Sequence, residues 1–279
     1  MLWNNLLNLQ QHLFLDCYCK QWVLVIEYFV IDLLFLIIVS IFFMEESSDK
    51  ILAIDIGGSH IKATILDTQG KQLMDYEKLD TPVPASPESV LTTIKMLVKD
   101  FMAYDKIAVG FPGYVKEGVV YTAPNLDAKN WNKIPFAKTL EDALGKPARV
   151  INDADMQGLG VVSGRGLEMM VTLGTGFGTA FLKNGILLPH LEMAHHPVSG
   201  KKTYDEYIGE KALQKIGDKR WNKRLAKIIG ILKTVFNYDT LYLGGGNATK
   251  INFKLEGNIK IVSNIDGIHG GAKLWTAEN

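Results

Sequence analysis

Three apolar segments of this chain, each short enough to be a buried strand, run directly into a cluster of glycines. The clusters are Gly57-Gly58, Gly174-Thr175-Gly176 and Gly244-Gly245-Gly246. Another apolar segment follows each of the first two clusters, so the pattern predicts a strand, a tight turn and a second strand twice. Strands of this kind, separated by helical patterns, predict an α/β fold with a ligand cleft between two half-molecules.

The glycine turns are candidate phosphate sites, because glycine lets the backbone approach a ligand closely and turn N–H groups can bind an anion. Asp55 precedes the first cluster and could position a hydrated Mg²⁺, while Lys62 beyond it could add a positive charge. The sequence has no P-loop pattern, and a strand rather than a helix follows the first turn, which excludes a dinucleotide-binding fingerprint. A plain glycine hairpin is the alternative interpretation of the first turn.

A short apolar run from Ala148 to Ile151 ends abruptly in Asn152 and Asp153, and small residues follow. A buried strand that ends in this way delivers a polar pair to its carboxyl end, where ligands bind in open α/β sheets. Asn152 and Asp153 are therefore the first candidates for chemistry. The alternative is that Asp153 only caps the next helix, a position that aspartate favours.

Composition bounds the class of protein. The 279 residues are enough for a full core in one or two domains, and 30 Lys and Arg balance 30 Asp and Glu. The net charge of zero lacks the footprint of a general nucleic-acid binder, so no nucleic-acid partner is expected. The only cysteines are Cys17 and Cys19. The rest of the chain therefore has no disulfide framework, and a reducing, cytoplasmic compartment is expected.

Residues 1–43 form a hydrophobic leader unlike the rest of the chain. The stretch from Trp22 to Phe43 is long enough to cross a bilayer, but Glu27 and Asp32 interrupt it. The leader lacks the features of a signal peptide. Two interpretations remain: a translated extension before a start at Met44, which the composition favours, or a genuine membrane anchor over residues 22–43 that would tether the protein.

Two further clusters and one helix are candidate ligand sites. Asn125 lies in a loop near Trp131, and amide groups beside a flat apolar ring suit a sugar, although an ordinary surface turn fits equally well. Glu192 and His195 can meet on one face of a turn, either as a metal pair or as hydrogen-bonding groups for a polyol. The helix predicted over residues 219–236 has a basic face, which is either solvated surface or attractive to a polyanion.

Taken in order, these motifs resemble the ROK family of sugar kinases, most closely its polyphosphate glucokinase branch. The resemblance covers residues 50–275. Its motifs lie at residues 55–62, 110–113, 122–127, 152–155, 174–176 and 244–246. No single glycine turn is specific, but the ordered set is.

The resemblance implies an actin/hexokinase-like (ribonuclease H-like) α/β fold, in which domains of residues 50–150 and 151–279 flank a sugar cleft. It implies that Asp153 is the general base that takes the proton from the 6-hydroxyl of the sugar. The implied sugar ligands are Asn125, Asn152, Glu192, His195 and Glu206. The implied donor-phosphate residues are Asp55, Gly57, Gly58, Ser59, Lys62, Gly174, Thr175, Gly176, Gly244 and Gly245, with Asp55 holding Mg²⁺ through water.

The chain departs from the family pattern in two places. Ala194 precedes His195 where the family usually has glycine, which could shift the pocket. Many members carry zinc-binding cysteines after that histidine, whereas residues 197–205 have none, so structural zinc is not expected. No helix-turn-helix pattern precedes Ile51, which argues against the family's repressors.

Three functions compete at this point. The expected one is a kinase that phosphorylates glucose with polyphosphate, with ATP as an alternative donor. The second is a strictly ATP-dependent glucokinase or hexose kinase, and the third is a non-catalytic sugar sensor, against which the retained Asp153 argues. The expected partners are therefore a sugar and a polyphosphate or nucleotide, and the resemblance further suggests a homodimer.

Overall fold

The computed structural model of the chain describes residues 49–263 and 267–276. The two interpretations of the leader, including membrane association through residues 22–43, lie outside these residues. In the part of the chain that is described, no helix has both the length and the apolar character needed to cross a bilayer.

Strands and helices alternate along the chain much as the sequence predicts. In chain order the strands are β1 (Ile51–Ile56), β2 (His60–Leu66), β3 (Glu77–Asp80), β4 (Lys106–Phe111), β5 (Val115–Lys116), β6 (Val119–Val120), β7 (Ala148–Asn152), β8 (Leu167–Leu173), β9 (Phe177–Lys183), β10 (Ile186–Leu187), β11 (Pro197–Ser199), β12 (Lys202–Thr203), β13 (Thr240–Gly244) and β14 (Ile259–Ile261). The helices are α1 (Pro87–Val98), α2 (Phe136–Leu144), α3 (Asp153–Val161), α4 (Tyr204–Ile208), α5 (Glu210–Ile216), α6 (Asp218–Phe236) and α7 (Gly270–Thr276).

Two five-stranded sheets share one plan. The first has the order β3-β2-β1-β4-β7 and the second the order β10-β9-β8-β13-β14. In each sheet the central strand pairs antiparallel with the strand after its glycine turn and parallel with a later strand. The repeat of strand, glycine turn and strand predicted from the sequence is therefore found, and it extends to the whole order of both sheets.

Side chains alternate between two apolar clusters along β1. Leu52, Ile54 and Ile56 pack in one cluster with α1 and α2, whereas Ile51 and Ala53 join a cluster that includes residues of α3, α7 and the second sheet. This alternation is the period of two that a strand buried on both faces requires. Helix α3 lies in the second of these clusters and contacts strands of both sheets.

Local sequence signals explain where α1 begins and where α2 ends. Serine followed by proline predicts a helix start at Ser86 and Pro87, and Ser86 does cap α1 by accepting a hydrogen bond from the Ser89 N–H at 3.3 Å. Gly145 and Pro147 predict the end of a helix over residues 136–144, and α2 has these bounds and ends at Gly145 in the left-handed conformation.

Other boundaries differ from the sequence prediction. The sequence from Tyr204 to Ile216 predicts a single helix, but the structure has two, because Gly209 between them is extended. The apolar residues in 119–122 predict a strand of that length, whereas only β6 is formed there. The predicted domain boundary at residue 150 falls inside β7, which belongs to the first sheet. Helix α7, near the end of the chain, packs on β1 and β4 of the same sheet. The division into domains of residues 50–150 and 151–279 stays a prediction.

Candidate active site

A cavity of about 250 Å³ lies at the carboxyl ends of strands from both sheets. β1, β7, β8 and β13 each end at, or immediately before, a residue that lines it. This is the edge at which ligands bind in open α/β sheets. The predicted site residues that line it are Gly57, Gly58, Asn125, Asn152, Asp153, Gly174, Thr175, Gly176, Glu192, His195 and Gly245.

The first turn of α3 decides which side chain caps this helix. Asn152 is the N-cap, and its Oδ1 accepts the N–H of Ala154 at 2.8 Å and the N–H of Asp155 at 3.4 Å. Its Nδ2 donates to the carbonyl of Gly113 at 3.0 Å, which ties the cap to the loop after β4. Asp153 is the first helical residue, so the interpretation of Asp153 as the helix cap is wrong.

The Asp153 carboxyl group lines the cavity, and its Oδ1 accepts the Ala154 N–H at 2.8 Å. Burial raises the pKa of Asp153, and the negative charges of Asp55 and Asp155 raise it further, to about 7. The Ala154 hydrogen bond and the positive charge of His190 oppose that rise in pKa. A carboxylate with a pKa near neutrality can take a proton from a hydroxyl group and release it afterwards.

Hydrogen bonds from Glu210 and Asn247 hold the glycine turn after β8 in place. The Gly174 carbonyl accepts the Glu210 N–H at 2.9 Å and the Asn247 amide at 3.4 Å. The same Asn247 amide donates to Glu210 Oε2 at 2.7 Å. The turn is therefore fixed against α5 and against the short 3₁₀ turn that follows β13.

Several glycines of the cavity wall, among them Gly176 and Gly245, cannot carry a side chain without displacing their neighbours. A Cβ on Gly176 would lie 2.6 Å from Asp205 Oδ1. Gly245 has a φ of +86°, and a Cβ there would collide with the backbone of Leu173. Close approach at Gly176 lets the turn after β8 lie against α4, and close approach at Gly245 lets the turn after β13 lie against the end of β8.

Five predicted site residues do not line the cavity: Asp55, Ser59, Lys62, Glu206 and Gly244. Asp55 lies beside it in β1, where its Oδ2 is 3.8 Å from Lys62 Nζ. Burial raises the pKa of Asp55, and the Lys62 charge opposes this. Ser59 is exposed, and Gly244 packs against Met170 beneath the turn.

Glu206 is part of the capping box at the start of α4 and does not line the cavity. Thr203 Oγ1 accepts the Glu206 N–H at 3.3 Å, and Glu206 Oε2 accepts the Thr203 N–H at 3.1 Å. The preceding residue, Asp205, lines the cavity, and its Oδ1 accepts the Phe177 N–H at 2.7 Å. The Thr-x-x-Glu spacing is the signature of a capping box, so the sequence carried a signal for this arrangement.

His190 and Asp155 are charged residues of the site for which no sequence pattern predicted a role. His190 Nδ1 lies 2.9 Å from Asp155 Oδ2, and its Nε2 lies 3.3 Å from Glu192 Oε1. On the other side of Glu192, Oε2 lies 3.8 Å from His195 Nε2, so the predicted meeting of these two side chains is found. His190 and Asp155 are 35 residues apart, and no local pattern links them.

The Asp55 carboxylate fits a loosely held magnesium ion. Among the described residues, no group of three or more His, Cys, Asp or Glu side chains could enclose a metal, so Glu192 and His195 have no third protein ligand there. Mg²⁺ is commonly held by one or two carboxylates together with waters and substrate phosphates. Asp55, which lies beside the cavity, supplies one such oxygen donor, and the Asp153 carboxyl group is left free to exchange a proton.

The two matching sheets, with a carboxylate at the start of a helix and glycine turns around one cavity, define a two-sheet α/β protein with one ligand-sized cavity at the ends of its strands. The sequence profile of the ROK family matches residues 51–198. The chain belongs to the ROK family.

Two relatives match most of the chain. Polyphosphate glucokinase of Mycobacterium tuberculosis is 33% identical over 246 residues, which cover 81% of this chain and 91% of that protein. Polyphosphate glucokinase of Mycobacterium leprae is 34% identical over 243 residues, which cover 81% of this chain and 74% of that protein.

Solved structures of sugar kinases superpose on this chain. The inorganic polyphosphate/ATP-glucomannokinase of Arthrobacter sp. strain KM superposes with a TM-score of 0.75 at 30% identity, covering 83% of this chain and all of that one. The ROK family glucokinase of Streptomyces griseus, solved with glucose and AMPPNP, gives a TM-score of 0.69 at 19% identity over 81% of this chain and 98% of that one. The predicted actin/hexokinase-like fold and the family resemblance are both confirmed.

Proposed function

We propose that this protein is a sugar kinase that transfers a phosphoryl group to the 6-hydroxyl of glucose, with Asp153 as the general base. The observation that carries the proposal is that Asn152 caps α3 and leaves the Asp153 carboxylate in the cavity with a pKa near neutrality. The proposal is supported by the polyphosphate glucokinases that match 81% of the chain.

Five side chains in the cavity wall are suited to bind the sugar. They are Asn125, Asn152, Glu192, His195 and Asp205. Carboxylates accept hydrogen bonds from sugar hydroxyls, and amide groups can both donate and accept. Asp205 takes the role that the sequence gave to Glu206, because the Glu206 carboxylate accepts the Thr203 N–H in the capping box.

The donor phosphates would lie against the glycine turns. The turn residues in the cavity wall are Gly57, Gly58, Gly174, Thr175, Gly176 and Gly245. Asp55 would hold Mg²⁺ through water, and the ion would neutralise charge on the phosphates when bound. Lys62, 3.8 Å from Asp55, offsets part of the negative charge there, whereas Ser59 and Gly244 lie outside the cavity wall.

In this proposal the ionised Asp153 accepts the proton of the 6-hydroxyl as that oxygen attacks the terminal phosphorus of the donor. The bond from phosphorus to the donor's bridging oxygen breaks, and the shortened donor leaves. Protonation of Asp153 below a pH of about 7 removes the base. Turnover is therefore expected to rise as the pH increases through neutrality.

We infer that the preferred donor is polyphosphate. The first half of helix α6 carries five basic residues: Lys219, Arg220, Lys223, Arg224 and Lys227. Arg224 and Lys227 lie over the ring of Tyr207, at 4.4 and 5.9 Å from its centre. Because Tyr207 is in α4 together with Asp205, part of this positive charge lies beside a helix of the cavity wall, where it would attract a polyanion.

A donor comparison tests the proposal. Purified protein is incubated with glucose, Mg²⁺ and either polyphosphate or ATP, and glucose 6-phosphate is measured. Faster turnover with polyphosphate is expected, whereas turnover with ATP alone would support the ATP-dependent alternative. Glucose binding without turnover from either donor would identify a sugar sensor. The homodimer stays a prediction, which light scattering on the same sample would test.

A matched pair of variants tests the sugar side. Asp205→Asn should raise the KM for glucose about tenfold or more, because an acceptor in the cavity wall loses its charge. Glu206→Gln should change that KM by less than about twofold and cost roughly 1 kcal/mol of stability through the weakened capping box. The reverse pattern in glucose titrations would return the sugar-binding role to Glu206.

A further inference from the structure

The side chain of His190 lies between two carboxylates that come from different parts of the fold. Asp155 belongs to α3, two residues after Asp153, and Glu192 belongs to the segment after β10. The side chains of His190 and Asp155 are only 7% and 5% exposed, whereas that of Glu192 is 31% exposed, on the side of the cavity. His190 also stacks on the ring of Tyr114, in the loop after β4, with 6.0 Å between the ring centres.

Both imidazole nitrogens face a carboxylate oxygen, at 2.9 Å and 3.3 Å. An ionised carboxylate only accepts hydrogen bonds, so the form of His190 that satisfies both contacts is the imidazolium, which donates from each nitrogen. Burial lowers the pKa of His190, but the hydrogen bonds to Asp155 and Glu192 outweigh it and raise the pKa to about 10. The other oxygen of Asp155, Oδ1, is buried without a hydrogen-bond partner.

We propose that His190 is a positioning residue for sugar binding: it holds the Glu192 carboxylate in one orientation and ties it through Asp155 to the helix that begins with Asp153. One oxygen of Glu192 is occupied by His190, so the second oxygen, Oε2, is left for a sugar hydroxyl on the side of His195. The sugar ligand and the catalytic carboxylate are thereby held at a fixed distance. The inference rests on the proposed sugar-kinase function.

The test is His190→Gln, with His196→Gln as the matched control, because His196 is exposed and lies outside the cavity wall. In His190→Gln the KM and the calorimetric Kd for glucose should rise about 10- to 100-fold, the usual effect of losing a hydrogen bond to a charged group. The KM for the donor should stay within about twofold, because the donor lies against the glycine turns. His196→Gln should match the wild type in all three constants.

A second variant separates positioning from simple neutralisation of a buried charge. In the double variant Asp155→Asn/His190→Gln the buried carboxylate that His190 neutralised is absent. Its Tm should therefore be closer to the wild-type value than that of His190→Gln, while its KM for glucose stays raised. Recovery of the wild-type glucose KM in this double variant, or an unchanged KM in His190→Gln, would overturn the positioning role.

The wild-type protein distinguishes this inference from the proposed function. If the wild type neither binds nor phosphorylates glucose, the proposed function fails. If it binds glucose without turnover, calorimetry on the same variants still tests His190. If it is active and His190→Gln binds glucose as tightly as the wild type does, only the present inference fails.

Discussion

Two carboxyl groups lie near opposite ends of helix α3, one in its first residue and one in β8 beside the loop that follows the helix, and they are in opposite electrostatic states. At the start of the helix, Asp153 accepts a hydrogen bond from Ala154, no other donor reaches it among the described residues, and its pKa is raised to about 7. Just beyond its end lies Glu168, which is fully buried. Five donors reach its carboxylate: the N–H groups of Ser163, Gly164 and Arg165 and the hydroxyls of Ser163 and Tyr242.

Burial alone does not determine the ionisation state of these two carboxyl groups. Burial raises the pKa of both groups, but the hydrogen bonds to Glu168 reverse the effect and lower its pKa. Asp153 has instead the negative charges of Asp55 and Asp155 as neighbours, which disfavour its own ionisation. The start of α3 thus has a carboxyl group that is available for chemistry, whereas the fully hydrogen-bonded carboxylate of Glu168, in β8, holds in place the loop that follows the helix.

The largest expected effect is on catalysis at the start of α3. Asp153→Asn keeps the shape of the side chain and removes the base, so kcat should fall by about 10²- to 10⁴-fold. Glucose binding by calorimetry should stay close to that of the wild type, because the proposed sugar ligands remain. The matched control is Asp142→Asn, an exposed aspartate of α2 that lies outside the cavity wall. Near-normal turnover in Asp153→Asn would remove Asp153 from the role of base.

The second effect is on stability at the other end. Glu168→Gln places an amide N–H₂ group among N–H donors and removes the charge that they stabilise, so the free energy of unfolding should fall by about 3 kcal/mol. Urea titration measures this, with Glu88→Gln on the exposed face of α1 as the control. The folded variant should keep a kcat within about threefold of the wild type. A large loss of kcat without loss of stability would contradict the assigned structural role.

The two ends of α3 also differ in how far the sequence predicts them. Asn152 and Asp153 could be found because a strand that stops at a polar pair is a local signal, as are the glycines of the turns. The choice between the two residues as the cap required the structure, since both are favoured there. Glu168 lies in a segment whose pattern predicts only a strand, and its partner Tyr242 is 74 residues further along the chain.

The residues that the sequence left without a role share this long range. The contact of His190 with Asp155 depends on how the segment after β10 packs beside α3, which no local spacing encodes. Asp205 is a different case, because the capping box at Thr203 and Glu206 fixes the orientation of α4 and could have been recognised in the sequence. Local signals therefore predict the strands, turns and base, whereas contacts between distant segments complete the wall of the cavity.

The smallest expected effect is a difference in how stability depends on pH. The folded-state pKa of Asp153 is raised from 3.8 to about 7, so the folded protein binds this proton more tightly than the unfolded chain does. The resulting stability is present below pH 3.8 and is lost as the pH rises to about 7. Asp153→Asn removes that loss. Its Tm relative to the wild type should therefore rise by several degrees between pH 5 and pH 8.

Glu168 should behave in the opposite way. Its folded-state pKa is lowered from 4.5, so its contribution to stability is complete above that pH and is lost as the pH falls below it. The Tm deficit of Glu168→Gln should therefore be constant between pH 5 and pH 8 and shrink in more acidic buffer. Thermal melts of the wild type and both variants across this range measure the two trends together. Parallel pH profiles for the two variants would mean that the carboxyl groups of Asp153 and Glu168 are in the same electrostatic state.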